Sequence, residues 1–206
     1  MSMRAPALAG AMFAAFIGLG AAVDRFGPWA WDRGVQAGDG WLSFWMHVAM
    51  LGTFPAYVAL GLALLVAGVV AARVRRAAIW TVVGLALLWQ FGDAVKLLFH
   101  RPRPPAWHGI HEASYSYPSG HAELSLFFYG AVALWFVLPH LRGAARYIAL
   151  GICAALPLAI AASRPALGVH YVTDLVGGWL LAGAWLAVLS PVARPSPSLE
   201  RAAGTV

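Results

Sequence analysis

Residues 77–99 read AAIWTVVGLALLWQFGDAVKLLF, and this stretch decides the fold. As an α-helix its 23 residues span about 34 Å, enough to cross a hydrocarbon core of about 30 Å. No charge interrupts it until Asp93 and Lys96, close to its C-terminal end. A charge at the centre of a membrane helix costs roughly 2.5–3.5 kcal/mol on insertion scales, so charges tolerated within a span are functional candidates. Arg73, Arg75 and Arg76 precede the stretch, and the run His100-Arg-Pro-Arg-Pro104 follows it. Pro102 and Pro104 stop the helix before Arg103.

Working outward, five further apolar runs have comparable length. Pro6–Val23 and Val48–Ala72 lie before it; His121–Pro139, Tyr147–Ala162 and Val172–Val192 lie after it. The chain is 61% hydrophobic and only 11% charged, where an ordinary soluble domain carries about 25% charge. No stretch is polar and long enough for a separate soluble domain. The expectation is therefore an all-α polytopic membrane protein, with six transmembrane helices in a bundle. Residues 1–192 form a single membrane-embedded domain, and residues 193–206, rich in Pro, Ser and Ala, form a disordered cytoplasmic tail. The first run, with Arg4 before it and Gly20, Ala21 and Ala22 at its end, also fits a cleaved signal peptide. An uncleaved helix is preferred because it gives an even number of spans and a consistent topology.

The net charge of +6 would suit a nucleic-acid partner, but its distribution points to a membrane instead. Arg4, Arg73, Arg75, Arg76, Arg142, Arg146, Arg194 and Arg201 fall in alternate connections, with only Glu200 beside them. Those connections are read as cytoplasmic. The others mix charges: Asp24, Arg25, Asp32, Arg33 and Asp39, then Arg101, Arg103 and Glu112, then Arg164. They are read as facing outward, the first flanked by Trp29, Trp31, Trp41 and Trp45 as interfacial anchors. Cys153 alone can form neither an internal disulfide nor a cysteine metal site.

Three segments gather at the outward ends of the third, fourth and sixth spans. They are Lys96 with Arg103-Pro104 seven residues on, Pro118-Ser-Gly-His121, and Ser163-Arg164 followed by His170 and Asp174. Together they match Lys-x6-Arg-Pro, Pro-Ser-Gly-His and Ser-Arg-x5-His-x3-Asp, in order. The chain thus resembles the type 2 phosphatidic acid phosphatase superfamily. The first motif alone is weak, but the third fixes four residues over twelve positions and arises by chance at roughly one start in 10⁵. The motifs cover positions 96 to 174, and the pattern of spans extends the likeness over nearly the whole chain.

The spacing also makes chemical sense. His170 and Asp174, four apart, share one face of a helix starting near residue 170. A carboxylate there can hold the proton of one imidazole nitrogen and leave the other to attack phosphorus, giving a phosphohistidine that water hydrolyses. Pro118 and Gly120 make a turn, Ser119 offers a hydroxyl, and the helix N-terminus beyond them suits an anion. His121 there is read as general acid and later base, the role the resemblance also implies. Lys96, Arg103, Ser119, Gly120 and Arg164 are the phosphate-binding candidates, since phosphoryl transfer is mostly positioning and charge stabilisation.

Three residues outside the motifs are read as modulators. Arg101 contacts either a second phosphate or the membrane surface. Glu123 acts on His121, pairs with Lys96, or makes a polar contact between helices. Asp93, about one turn before Lys96, is its ion-pair candidate. His100, His108 and His111 with Glu112 have no recognised metal spacing, so neither a metal nor another cofactor is expected.

The resemblance implies a bacterial inner-membrane hydrolase with its site on the periplasmic or extracellular side, metal-independent and without a nucleic-acid partner. Its substrate would be a phosphorylated lipid of the outer leaflet: undecaprenyl pyrophosphate, phosphatidylglycerol phosphate, phosphatidic acid or a lipid A phosphate. Phosphotransfer to another lipid would use the same site. Vanadate-dependent haloperoxidases share the pocket but are soluble. Transport, a different class, is disfavoured because the charges lie at one rim and no half repeats the other.

Overall fold

A computed structural model describes residues 4–105, 109–110 and 112–193, and every regular element among them is helical. His108, His111 and the tail 194–206 lie outside the described residues. The helices are α1 (Arg4–Phe26), α2 (Asp39–Met50), α3 (Phe54–Val70), α4 (Ala72–Phe99), α5 (Gly120–His140), α6 (Gly143–Ala166) and α7 (Val172–Ala193). A 3₁₀ turn, Ala30–Arg33, joins α1 to α2. Six segments are long and apolar enough to cross a membrane, α2 and α3 together making one of them, Asp39–Val70. The six-helix, strandless expectation therefore holds.

The boundaries differ instructively. The second span begins at Asp39 rather than Val48, because residues 39–47 mix Asp, Ser and His into a helix whose exposed face carries Trp41 and Phe44. The span is broken at residues 51–53, where Thr53 is extended and Pro55 opens α3. The break brings Gly52 against α5 and α6. A Cβ at Gly52 would stand 2.5 Å from Ile160 Cγ2 and 2.7 Å from His121 Cδ2, so only glycine permits this approach. Helix α6 extends to Ala166, which puts Arg164 on its last turn rather than in a loop. Helix α5 passes through a π-helical stretch, Val132–Val137, which contains the buried Trp135.

Helix α7 packs against α1, α5 and α4; α3 packs on α4, and α6 on α5 and α2. Side chains such as Leu8, Leu62, Val66, Leu98 and Ile152 remain exposed on the outer surface, which suits lipid rather than water. The loop from α4 to α5 is fastened from beneath by aromatic rings. Tyr117 stacks on Phe16 of α1 at 5.4 Å, meets Phe99 edge-on at 5.0 Å, and donates its hydroxyl to the Phe16 carbonyl at 2.7 Å. That clamp sets the height of the neighbouring residues 116–121 relative to the ends of α4, α6 and α7.

Candidate active site

Helix α4 ends with His100 in the left-handed region at φ 47°, and its last turn carries Lys96. Lys96 Nζ lies 2.7 Å from Asp93 Oδ1, the pair the spacing suggested. Ser119 is the N-cap of α5, yet its hydroxyl makes no capping bond and is buried without a partner. His121 follows on the first turn, with the Ala49 carbonyl of α2 within hydrogen-bonding reach of its ring. Helix α6 closes with Leu167 N–H on Ser163 O and Gly168 N–H on Pro165 O, Gly168 having φ 69°. This turn, which a β-carbon would strain, reverses the chain and delivers His170 to the mouth of the bundle.

Helix α7 begins at Val172, two residues later than the spacing suggested, so His170 precedes the helix instead of sharing its face. The two residues still meet, because Asp174 sits at the third helical position. Its Oδ2 accepts the Tyr171 backbone N–H at 2.9 Å, one half of a capping box, and lies 3.2 Å from His170 Nδ1. Ser116 donates its hydroxyl to the same oxygen, and Arg101 Nη1 donates to Oδ1. On the other edge of the ring, Arg103 Nη1 donates to His170 Nε2 at 2.9 Å. The donor on one side and the carboxylate on the other fix the tautomer: Nδ1 carries the proton and Nε2 the lone pair.

Burial pushes the His170 imidazole down to about 4, with Arg103 and Arg164 adding to the effect and the Asp174 hydrogen bond opposing it. The ring is therefore neutral near pH 7. Burial likewise lowers Arg103, opposed by Glu112 and increased by Arg164, but from so high a starting value that it stays cationic. Burial alone would raise the Glu112 carboxyl; Arg164 and Arg103 outweigh it and hold the group below its ordinary range.

Lys96, Arg103, Gly120, His121, Arg164 and His170 line one cavity of about 350 Å³, together with Asp93 and Glu112. Thus the residues from all three motifs converge. Arg164 is nearly buried and pairs with Glu112 Oε1 at 2.5 Å, while its Nε has no partner. Arg103 is held by Ser114, through Nε to the carbonyl at 2.6 Å and Nη2 to the hydroxyl at 2.9 Å. Unpartnered buried donors are rare; among the described residues they are Tyr57 Oη, Trp179 Nε1, Ser119 Oγ and Arg164 Nε, and the last two belong to the candidate phosphate-binding set. An anion with several acceptor oxygens would satisfy those two.

Two candidates lie elsewhere. Arg101 meets neither a phosphate site nor the membrane surface: it is 4% exposed and turned beneath α7, bound to Asp174, Asp32 and Thr173. Two internal carboxylates outcompete lipid head groups for a guanidinium. Glu123 is buried outside the cavity lining and packs against α4, where a Cβ on Gly92 would stand 2.5 Å from its Oε1. Among the described contacts it forms no ion pair with Lys96, which Asp93 occupies, and its Oε2 is buried without a hydrogen-bond partner. Asp32, Ser114, Ser116 and Gly52 escaped the sequence reading. Asp32 looked like any charge of a mixed loop, and a serine three residues before Ser119 carries no spacing signal.

The cavity continues into an apolar groove of about 350 Å³ between α3 and α4, the two sharing Phe54, Trp89 and Leu124. The crystal structure of a transmembrane PAP2-type phosphatidylglycerolphosphate phosphatase from Bacillus subtilis has the same fold. Its TM-score is 0.76 at 19% identity, over 89% of this chain and 94% of that one. Phosphatidylglycerophosphatase B of Bacillus subtilis (strain 168) is 36% identical over 109 residues, 48% of this chain and 52% of that protein. The chain thus matches about half the length of this curated relative. The sequence profile of the PAP2 superfamily matches residues 77–196, from the first turns of α4 to beyond the end of α7. With the motif residues of all three segments gathered at one end of that fold, the chain belongs to the PAP2 superfamily.

Proposed function

We propose that this protein is a membrane lipid phosphatase whose nucleophile is His170. The observation that carries the reading is the setting of that imidazole. Its Nδ1 faces Asp174 at 3.2 Å and its Nε2 faces Arg103 at 2.9 Å, at a cavity that Lys96 and Arg164 also line. Nε2 attacks phosphorus and the bond to the leaving oxygen breaks; His121 gives that oxygen its proton. A water molecule then attacks the phosphohistidine, losing a proton to His121, and inorganic phosphate leaves. Lys96, Arg103 and Arg164, with Ser119 and the N–H groups at Gly120, hold the phosphoryl oxygens. Three side-chain cations supply the charge that a metal would otherwise bring, so turnover in chelator is expected.

The apolar groove beside the cavity favours a substrate whose tail stays in the bilayer. The named activity of the Bacillus relatives makes phosphatidylglycerol phosphate the first substrate to try, with phosphatidic acid, undecaprenyl pyrophosphate and lipid A phosphates beside it. The arginine pattern supports an inner-membrane protein working from the outer leaflet. The test is phosphate release from this panel by detergent-purified protein in chelator, together with acid-quenched trapping of labelled phosphoprotein. Release that survives His170→Ala, or a phosphoprotein that persists in it, rejects the mechanism.

A further inference from the structure

Behind His170 lies a buried cluster that the proposed chemistry leaves unused. Arg101 binds two carboxylates at once: Nη1 donates to Asp174 Oδ1, and Nη2 lies 2.6 Å from Asp32 Oδ2. Nη1 also donates to Thr173 Oγ1 at 2.7 Å, and the guanidinium lies 4.2 Å above the Tyr171 ring. Asp32 is fully buried although it comes from the short turn between α1 and α2. It accepts the Thr173 backbone N–H at 2.8 Å and the Thr173 hydroxyl at 2.9 Å, so that turn is bonded directly to the first turn of α7.

Charge explains why two carboxylates are present. When Nε2 of His170 bonds to phosphorus while Nδ1 keeps its proton, the ring acquires a full positive charge. Asp174 is the anion that stabilises it. A guanidinium bound to Asp174 alone would form a neutral pair and cancel that help. Asp32 on the guanidinium's other amino group returns the trio to a net charge of −1. The same contacts use Oδ1 of Asp174 for Arg101 and leave Oδ2 for the imidazole, Ser116 and the Tyr171 N–H.

Resting on the phosphatase reading, we infer that Asp32 and Arg101 are positioning residues for Asp174, fixing its rotamer and keeping its surroundings negative while the His170 ring becomes cationic. The other charged or titratable groups facing that ring are Arg103, Arg164, Glu112 and His121. Their contacts are untouched by a change at Asp32, which makes that position a clean probe.

Asp32→Asn preserves shape and removes the charge. In folded protein, checked by thermal melting, it should lower kcat about 10- to 100-fold and leave KM within about threefold. Introduced into Asp174→Asn protein it should change kcat by no more than about twofold, because its effect passes through Asp174. A structural defect would instead multiply with the first loss. A readout independent of turnover is the His170 imidazole resonance, assigned with His170→Ala: loss of an anion should move its titration to lower pH. Thr173→Val, which removes the hydroxyl's contacts to Asp32 and Arg101 but keeps all charges, should give a smaller loss of about three- to tenfold. It carries the kinetic test if Asp32→Asn fails to fold. Wild-type kcat in folded Asp32→Asn, full additivity with Asp174→Asn, or an unmoved His170 titration would each overturn the inference. Absence of wild-type turnover on every lipid would instead reject the phosphatase reading, with the titration still judging the role of Asp32.

Discussion

Arg103 Nη1 lies 2.9 Å from Nε2 of His170, on the ring edge opposite Asp174. A guanidinium can only donate, so the nitrogen it meets is an acceptor. The same Arg103 is fixed at Nε and Nη2 by Ser114, and Nη1 also donates to the Val169 carbonyl at 2.8 Å, which holds the guanidinium against the imidazole lone pair. On the proposed mechanism, a phosphoryl group entering the cavity meets the nucleophile and a cation at one point. His170→Ala should therefore lower kcat by at least about 10³-fold. His121→Ala, which removes the proposed proton transfer but leaves His170 in place, should cost about 10² to 10⁴. Single-turnover kinetics with trapping of phosphoprotein separates the two steps.

Arg103→Lys tests whether geometry or charge matters at that point. Lysine keeps the positive charge but cannot reach Ser114 and the phosphoryl oxygen together. A loss of about 10² in kcat, the usual cost of one misplaced transition-state donor, is expected. A mutant within threefold of wild type would mean that Arg103 serves only as a diffuse charge.

His170 should give the protein a characteristic acid response. In the unfolded chain its imidazole titrates near 6.5, and in the folded protein near 4. Between those values the unfolded chain binds more protons at this site, so stability rises with pH across the window. The contribution is complete above about 6.5 and lost as pH falls through about 4. Urea unfolding at pH 4.5 and 7, in wild type and His170→Gln, should show a smaller pH-dependence in the mutant. An equal dependence would place the sensitivity at other groups.

How much of this was readable beforehand depends on what kind of signal each residue gives. Apolar runs of membrane length announced the six spans, and fixed spacings announced Lys96, Arg103, His121, Arg164, His170 and Asp174. Asp32 gave no such signal: its partners Arg101 and Thr173 are 69 and 141 positions away, and only the packing of α1 on α7 brings the turn there. The early start of α2 was hidden for a local reason, since polar residues diluted a helix that uses only one apolar face. Arg101 was legible as a cation but not as a buried one, because burial depends on carboxylates supplied by other elements.

Vanadate should bind where phosphate is proposed to bind. Arg164 Nε and Ser119 Oγ are buried donors awaiting an acceptor. At one hundred times its Kd, a ligand of the folded state adds about 2.7 kcal/mol of stability, readily seen as a rise in Tm. The rise should shrink in Ser119→Ala and nearly vanish in Arg164→Met. A full shift in both variants would locate the anion elsewhere.

The aromatic clamp under the α4–α5 loop makes a separate prediction about stability. Tyr117 donates to the Phe16 carbonyl at 2.7 Å inside a stack of rings, so Tyr117→Phe keeps the packing and removes one buried hydrogen bond. The Phe16 carbonyl lies within α1, where its helical partner still satisfies it. The expected loss is about 1 kcal/mol, a modest lowering of Tm. Tyr117→Ala is a different perturbation. It empties the space between α1 and α4 and frees the segment carrying Ser116, Ser119 and His121, so about 3–5 kcal/mol should be lost. Activity should then fall more steeply than stability, because Ser116 no longer holds Asp174 and His121 no longer faces the cavity at a fixed height. Melting curves and kcat measured on both variants decide the point: if Tyr117→Ala loses stability but keeps full kcat, the clamp fastens the bundle without setting the site.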